Sequence, residues 1–279
     1  MITIENGYLK VNINEFSARL NSILCKFNKK EYLTKNNSHL YFPFVGNLKN
    51  DSYSYEKEFY KIMNYDLFKN LYFQLEKKYT DKVIFKLTNS SELYDVYPFE
   101  FQLYLQYSLD LNRIKVEFLL KNLSNKPLFF QLAYDLNLSL LENSPESYLL
   151  TISPNKDTLT SKYTLNEDNF KETISKTFKP PINFSKSFFK DFSFIFKNKD
   201  MNIVSFLKRN SREGIVLQSS KFDYTLIKNN NLQSINLKLM NGINDSEDEN
   251  EDLSKKKSMK LLEKDKTFKC LFTLEMIYC

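Results

Sequence analysis

Apolar and polar residues alternate with a period of two along much of this chain. Clear examples lie at residues 8–13, 71–75 and 83–87. In an extended strand, this alternation places the apolar side chains on one face. Long segments with the 3.6-residue period of an amphipathic helix do not occur. The pattern predicts a chain built mainly from half-buried β-strands.

The clearest strand pair covers residues 99–109 and 114–118, which a short polar segment, 110–113, connects. A connection of this length is typical of a β-hairpin. A second turn at residues 122–127 leads into the apolar segment 128–132. We therefore predict a meander of three successive strands.

The C-terminal third repeats the alternation at residues 214–218, 234–239 and 268–277. Residues 143–190 contain four prolines, and we interpret this region as long connections across the top of the sheets. Strands spaced in this way without intervening helices predict two packed antiparallel sheets. The predicted fold class is all-β, an antiparallel β-sandwich, formed as a single domain by residues 1–279.

The composition supports a large core and excludes two kinds of chemistry. The 25 Phe and 18 Tyr residues supply core-forming side chains. Only four glycines occur, and none lies in a phosphate-binding glycine-rich loop, which disfavours nucleotide chemistry of that type. The three cysteines are widely spaced and the chain has one His, so a Cys/His zinc site cannot be assembled.

The charged residues give little sign of a nucleic-acid partner. The net charge of +6 arises from 40 basic and 34 acidic residues that are scattered along the chain. Apart from residues 255–257, no basic cluster occurs, so we predict no nucleic-acid binding. The acidic run 245–252 lacks the central glycine of a calcium loop, and we interpret it as a solvated surface loop.

The N-terminal residues carry no apolar run flanked by basic residues, and no apolar segment is long enough to cross a bilayer. We therefore predict a cytoplasmic protein with reduced thiols and no membrane partner.

Five segments, taken in order, resemble the aldose 1-epimerase (galactose mutarotase) family, in particular its short single-domain bacterial members. They are ITIENGYLKVNINEFSARLNSI (2–23), LYFPFVGNLKNDSYSY (40–55), YPFEFQLYLQYSLD (97–110), KNLSNKPLFFQLAYDL (121–136) and NGINDSEDENEDLSKKKSMKLLEKDKTFKCLFTLEMI (241–277). The resemblance implies a galactose mutarotase-like supersandwich that binds a sugar on a concave sheet face.

The resemblance also implies a reaction that opens and recloses a pyranose ring at its anomeric carbon. In that reaction a carboxylate removes the proton of the anomeric hydroxyl, and an acid, normally His, protonates the ring oxygen. No cofactor and no metal is required.

The two catalytic positions implied by the resemblance are both replaced. Asp135 stands where the family has its acid His, and Lys238 stands where it has its base Glu. We predict that the two side chains project into one cleft and form an ion pair that closes it. The alternative is a reversed mechanism, in which Lys238 is the acid and Asp135 the base.

Four further positions are implied to bind substrate. Tyr65 falls on a second family His, or Asn64 does if the alignment shifts by one residue, and Lys69 falls on the Arg at the end of the same family motif. Asn47 replaces another Arg, and Lys228 replaces a Trp.

The one histidine, His39, lies just before Phe42 and Pro43, at a position where the family commonly has Pro. We interpret it as a satisfied or surface side chain that does not restore the mechanism.

Three functional hypotheses remain open at this stage. The first is an aldose 1-epimerase-like protein of carbohydrate metabolism that binds a hexose or related carbohydrate with little or no mutarotase activity. The second is an active epimerase with a rebuilt acid-base pair. The third is a protein-interaction module that uses exposed aromatic side chains. A separate alternative is that the replaced positions are packed sheet positions without a ligand function.

Overall fold

The computed structural model describes residues 1–63, 65, 68, 70–140, 145–153, 159–162, 175–178, 181–183, 193–198, 201–231, 233–243, 245–246 and 248–278. The strands are numbered in chain order. The first twelve are β1 (Ile2–Glu5), β2 (Leu9–Ile13), β3 (Leu20–Cys25), β4 (Leu33–Tyr41), β5 (Ser52–Tyr55), β6 (Glu58–Lys61), β7 (Gln74–Lys78), β8 (Lys82–Thr88), β9 (Phe101–Asp110), β10 (Arg113–Asn122), β11 (Leu128–Phe130) and β12 (Leu132–Ser139). The others are β13 (Tyr148–Ser153), β14 (Leu159–Lys162), β15 (Ser175–Phe178), β16 (Ile182–Asn183), β17 (Ser193–Lys197), β18 (Met201–Lys208), β19 (Gly214–Ser220), β20 (Tyr224–Asn231), β21 (Ser234–Asn241), β22 (Lys260–Leu262) and β23 (Thr267–Ile277).

Helical segments are short. The helix α1 (Ser91–Val96) begins after Ser90, whose hydroxyl accepts a hydrogen bond from the Leu93 N–H at 3.2 Å. Single 3₁₀ turns lie at Lys49–Asp51, Pro145–Ser147 and Leu253–Lys255. None of the helices in the described ranges has the length and hydropathy needed to cross a membrane.

Within the described residues, two large antiparallel sheets dominate the fold. One has nine strands in the order β16-β13-β18-β19-β23-β10-β9-β8-β7, and the other has seven in the order β15-β14-β17-β20-β21-β12-β4. Smaller sheets are formed by β1-β2-β3, β5-β6 and β11-β22.

Aromatic side chains fill the space between the two large sheets. The Tyr134 ring of β12 lies 5.6 Å from the Phe118 ring of β10 and 5.3 Å from the Phe272 ring of β23, measured between centroids. One cluster of buried apolar side chains has members from Ile2 to Met276. The predicted all-β antiparallel sandwich is therefore confirmed.

The predicted three-strand meander is wrong in its third strand. β9 and β10 form the predicted hairpin, but the other neighbour of β10 is β23. The segment that follows pairs with β22 as β11, and the chain then enters the seven-stranded sheet at Leu132. Because Leu128, Phe129 and Phe130 are all buried, this segment has no solvent face.

The prediction of long connections over residues 143–190 is also wrong for part of that region, because β13 to β16 lie within it. The prolines border these strands rather than exclude them. β13 ends at Ser153, one residue before Pro154, and β16 begins directly after Pro181. Proline cannot donate a ladder hydrogen bond, so it is tolerated at strand ends.

The acidic run is not uniformly solvated. Asp245 and Glu249 are each only 6% exposed. Asp245 forms an ion pair with the buried Lys256, and Glu249 accepts a hydrogen bond from the Lys257 N–H at 2.9 Å. The prediction of a solvated loop is wrong for these two residues, whose carboxylates bind groups of the chain itself.

Candidate functional site

The candidate site lies on the outer face of the seven-stranded sheet, which is the face turned away from the nine-stranded sheet. Side chains alternate between the two faces along each strand. Tyr134, Leu136, Leu237 and Leu239 point into the sandwich and are fully buried. Asp135 and Lys238 alternate with them and therefore point outward, where both are half-buried.

The register of β4, β12, β21 and β20 arranges the outer face in three rows. The apolar row is Tyr41, Ala133, Met240 and Tyr224. The charged row is His39, Asp135, Lys238 and Leu226. The amide row is Asn137, Asn236 and Lys228. Adjacent positions within a row lie about 5 Å apart and rows about 7 Å apart, so the three rows cover an area that suits a small polar ligand.

Asp135 and Lys238 are directly opposite each other on β12 and β21. The Lys238 ammonium lies 4.0 Å from the centroid of the Tyr41 ring and donates to the Val45 carbonyl at 3.3 Å. A cation over an aromatic face is attracted by the ring quadrupole. The Asn236 side chain donates to the Asp135 carboxylate and, at 2.9 Å, to Asn137.

Burial raises the pKa of Asp135 above its usual value of 3.8. The positive charge of Lys238, the hydrogen bond from Asn236 and the charge of Lys228 each lower this pKa, but together they do not offset the effect of desolvation. The ionised carboxylate is therefore less stable here than in water.

Replacing Asp135 by Asn is expected to raise the free energy of unfolding at neutral pH. The amide keeps the shape of the carboxyl group and has no charge to desolvate. A raised native pKa favours the protonated form, so the wild type is relatively most stable below pH 3.8 and loses this stability as the pH rises through the native pKa. The advantage of the Asn variant should be largest above the native pKa and disappear below 3.8, as measured by urea unfolding at several pH values.

Asp248→Asn is a control for which we expect the opposite change in the free energy of unfolding. A hydrogen bond from Ser246, aided by Lys257, lowers the pKa of the exposed Asp248 to about 2. This variant should lose stability at neutral pH relative to the wild type, and the loss should shrink as the pH falls towards 2. An advantage of Asp135→Asn that grows towards low pH would contradict the assigned environment of Asp135.

Gln131 holds in place the loop that contains Val45, which lies above the apolar row. Its side chain accepts from the Val45 N–H at 2.9 Å and donates to the Ile243 carbonyl at 2.8 Å and to Ser258 Oγ at 2.7 Å. Gly242 has a φ of 99°, and a Cβ there would lie 2.6 Å from Gln131 Cγ. A larger residue would displace Gln131, so this glycine serves the packing of the loop that contacts Lys238.

The other predicted substrate residues are distributed unevenly. Lys228 lies on the outer face, half-buried, opposite Asn236. Asn47 is exposed in the loop that follows Val45. The Tyr65 hydroxyl accepts from the Leu48 N–H at 2.8 Å, and burial raises its pKa, so Tyr65 supports this loop rather than the sheet face. Lys69 and the alternative Asn64 lie outside the described residues.

The sequence interpretation did not place His39 beside the two replaced catalytic positions. His39 is directly opposite Asp135 on β4, in the middle of the charged row, and is half-buried there. Asn137, Asn236 and Tyr41 were also missed. The alternation around Asp135 and Lys238 in the sequence could have indicated Asn137 and Asn236, whereas His39 and Tyr41 follow only from the pairing of β4 with β12.

Comparison with known proteins agrees with this architecture. A solved structure of a galactose mutarotase related enzyme from Lactobacillus acidophilus superimposes with a TM-score of 0.89 at 23% identity, covering 99% of this chain and 97% of that one. A galactose mutarotase-like protein from Lactobacillus casei gives a TM-score of 0.84 at 20% identity, covering 99% and 100%. At these identities the likeness establishes the fold.

Sequence comparison extends the match from fold to family. Protein LacX, encoded on a plasmid of Lactococcus lactis subsp. lactis, is 29% identical over 168 residues, which is 54% of this chain and 56% of LacX. The aligned region is thus only about half of the length of that relative. The sequence profile described as aldose 1-epimerase matches residues 1–250. The chain therefore belongs to the aldose 1-epimerase family.

Proposed function

We propose that this protein binds a pyranose on the outer face of the seven-stranded sheet and catalyses mutarotation weakly or not at all. The observation that carries the proposal is the pair of Asp135 and Lys238. The resemblance to the family implies that they fall on its acid and base positions, and they lie opposite each other at the centre of a face that is apolar on one side and amide-rich on the other.

The chemistry of the face favours a carbohydrate ligand. Sugar hydroxyls both donate and accept hydrogen bonds, as the side chains of Asn137 and Asn236 do. The partly exposed Tyr41 and Tyr224 rings, which pack against the buried Met240, offer an apolar surface to the C–H side of a pyranose. Ligand sites commonly combine such a surface with a few convergent polar groups.

The replacements argue against efficient ring opening. The base must accept the anomeric proton, but a lysine ammonium has three donors and no acceptor. Lys238 therefore cannot do the work of the Glu it replaces while it is protonated. General acid-base catalysis contributes about 10²–10⁴ in rate, so loss of the base alone is expected to lower the rate by about that factor.

His39 favours a second candidate function, an active epimerase with a rebuilt acid-base pair. Asp135 would remove the anomeric proton, and His39, directly opposite, would protonate the ring oxygen. A carboxyl group with a raised pKa is a better base than an ordinary carboxylate.

Polarimetry and calorimetry distinguish the two functions. We expect freshly dissolved α-glucose and α-galactose to mutarotate at nearly the buffer rate, while calorimetry detects binding of a pyranose that Asn236→Ala weakens. Catalysis well above the buffer rate that His39→Gln abolishes would establish the second function. Catalysis without dependence on His39 would contradict both.

Family membership assigns the protein to carbohydrate metabolism. We propose the cytoplasm as its compartment, which the free thiols of the buried Cys25 and Cys270 support.

A further inference from the structure

Asn236 has a central position in the polar part of the outer face. It lies on β21 directly opposite Asn137 on β12. Its amide nitrogen donates to the Asp135 carboxylate and, at 2.9 Å, to Asn137 Oδ1. An amide NH₂ group has two protons, so both donors of this side chain are used within the face. The remaining polar atom of the side chain, Oδ1, can only accept a hydrogen bond.

The amide oxygen of Asn236 receives no hydrogen bond from the described part of the chain. The residue is only 8% exposed, and its amide oxygen keeps some contact with solvent. A carbonyl oxygen in such a poorly solvated position is unfavourable without a donor. The free hydrogen-bonding capacity of Asn236 is therefore an acceptor that a donor group of a ligand can satisfy.

Asp135 provides a second acceptor beside Asn236. Its carboxylate accepts from the Asn236 amide and from the Leu136 N–H. A carboxylate has about four acceptor sites, so about half of this capacity remains. The positive charges of Lys238 and Lys228 act on Asp135 and partly offset its negative charge, so the face does not require a charged ligand.

We propose that the ligand of this face is a neutral pyranose bound through two hydroxyl groups on adjacent ring carbons, one donating to Asn236 Oδ1 and the other to the Asp135 carboxylate. This inference rests on the proposed function and names the part of the sugar that is recognised. The hydrogen bond between Asn236 and Asp135 fixes the two acceptors side by side. Neighbouring hydroxyls supply the matching pair of donors, whereas an isolated hydroxyl satisfies only one acceptor.

An ionised Asp135 also excludes the sugar ring oxygen from its position. A ring oxygen carries no proton and can only accept, so it cannot form a hydrogen bond with a carboxylate. The pyranose is therefore expected to turn its hydroxyls, and not its ring oxygen, towards Asp135. In this orientation Asp135 does not protonate the ring oxygen, which agrees with the weak or absent mutarotation of the proposed function.

Calorimetry with sugar analogues tests the proposal. The parent sugars are glucose, galactose and mannose, and the analogues are the deoxy and deoxyfluoro derivatives of each sugar that binds. Removing either of two adjacent hydroxyls should weaken binding about tenfold, because it leaves a poorly solvated acceptor without its donor. Fluorine cannot donate a hydrogen bond, so it should not restore the affinity. Removing any other hydroxyl should have a smaller effect.

Two variants assign each hydroxyl to its acceptor. Leucine resembles asparagine in shape but has no polar atoms, so removing one of the two hydroxyls should no longer weaken binding to Asn236→Leu. Asp135→Asn, which is expected to remain folded, should reduce the effect of the other hydroxyl, because an amide is a weaker acceptor than a carboxylate. Asn21→Leu, at the surface on β3, is the matched control and should leave both effects unchanged. Circular dichroism and melting temperatures check that each variant is folded.

Three outcomes would overturn the inference. Loss of affinity at a single position or at two separated positions, or restoration of affinity by fluorine, would overturn it and leave the proposed function intact. Hydroxyl effects that are the same in the wild type, Asn236→Leu and Asp135→Asn would show that these two residues do not bind the diol. Absence of binding by all three parent sugars would overturn the proposed function as well.

Discussion

Lys256→Met is expected to lower the free energy of unfolding by about 3–5 kcal/mol. The side chains of Lys256 and Asp245 are 0% and 2% exposed and form an ion pair. Asp245 Oδ2 also accepts from the Lys49 N–H at 3.0 Å, while Oδ1 is buried without a hydrogen-bond partner among the described residues. Removing Lys256 leaves a carboxylate out of water with one backbone donor. Urea unfolding at neutral pH measures the loss.

The adjacent lysine provides a matched control. Lys257 pairs with Asp248 at 3.1 Å, but these side chains are 69% and 77% exposed. Lys257→Met should therefore change the stability by less than about 1 kcal/mol. Adding Asp245→Leu to Lys256→Met should recover much of the loss, because it removes the unpaired charge. Equal effects of the two single lysine variants would show that Asp245 does not depend on Lys256.

Tyr107→Phe is expected to cost about 2 kcal/mol of stability, the second largest effect. The Tyr107 hydroxyl is buried between the sheets, donates to the Ala18 carbonyl at 2.6 Å and lies 2.9 Å from the Tyr134 hydroxyl. Tyr134 in turn lies 3.1 Å from Ser38 Oγ. Phenylalanine would leave the Ala18 carbonyl without its donor and Tyr134 without its acceptor. Denaturant unfolding with an unchanged m-value would report this as a native-state effect.

Tyr104→Phe is the control on the same strand. The Tyr104 hydroxyl is on the opposite face of β9, where it donates to Gln102 at 3.0 Å in a half-exposed position. Water can replace this bond, so the change should stay within about 0.5 kcal/mol. If Tyr104→Phe costs as much as Tyr107→Phe, the buried hydroxyl network does not stabilise the sandwich.

The buried network also connects the core with the candidate site. Tyr134 and Asp135 are consecutive on β12, so one faces the hydroxyl network and the other faces the charged row. The network and the hydrophobic contacts of Tyr134 fix the strand on its inner side. The outer face can therefore hold a poorly solvated carboxylate without loss of the strand, in line with the stability cost that functional sites carry.

The sequence by itself determined the local properties of the chain. Alternation of period two predicted strands β8, β9, β19, β21 and β23 close to their observed bounds, and the first half of β10, because this pattern depends only on neighbours in the chain. The β9-β10 hairpin was predictable for the same reason. The resemblance to the family indicated Asp135 and Lys238, which do share a face.

Only the tertiary structure decided which strands are neighbours. β10 pairs with β23, whose residues lie more than 140 positions further along the chain, and Asp135 has His39 on one side and Lys238 on the other. Such pairings depend on how the two sheets close over a common core, and local alternation carries no information about them. The sequence therefore predicted strands and two residues of the candidate site, whereas the position of His39, the amide row and the apolar row became visible only when β4, β12, β21 and β20 were placed side by side.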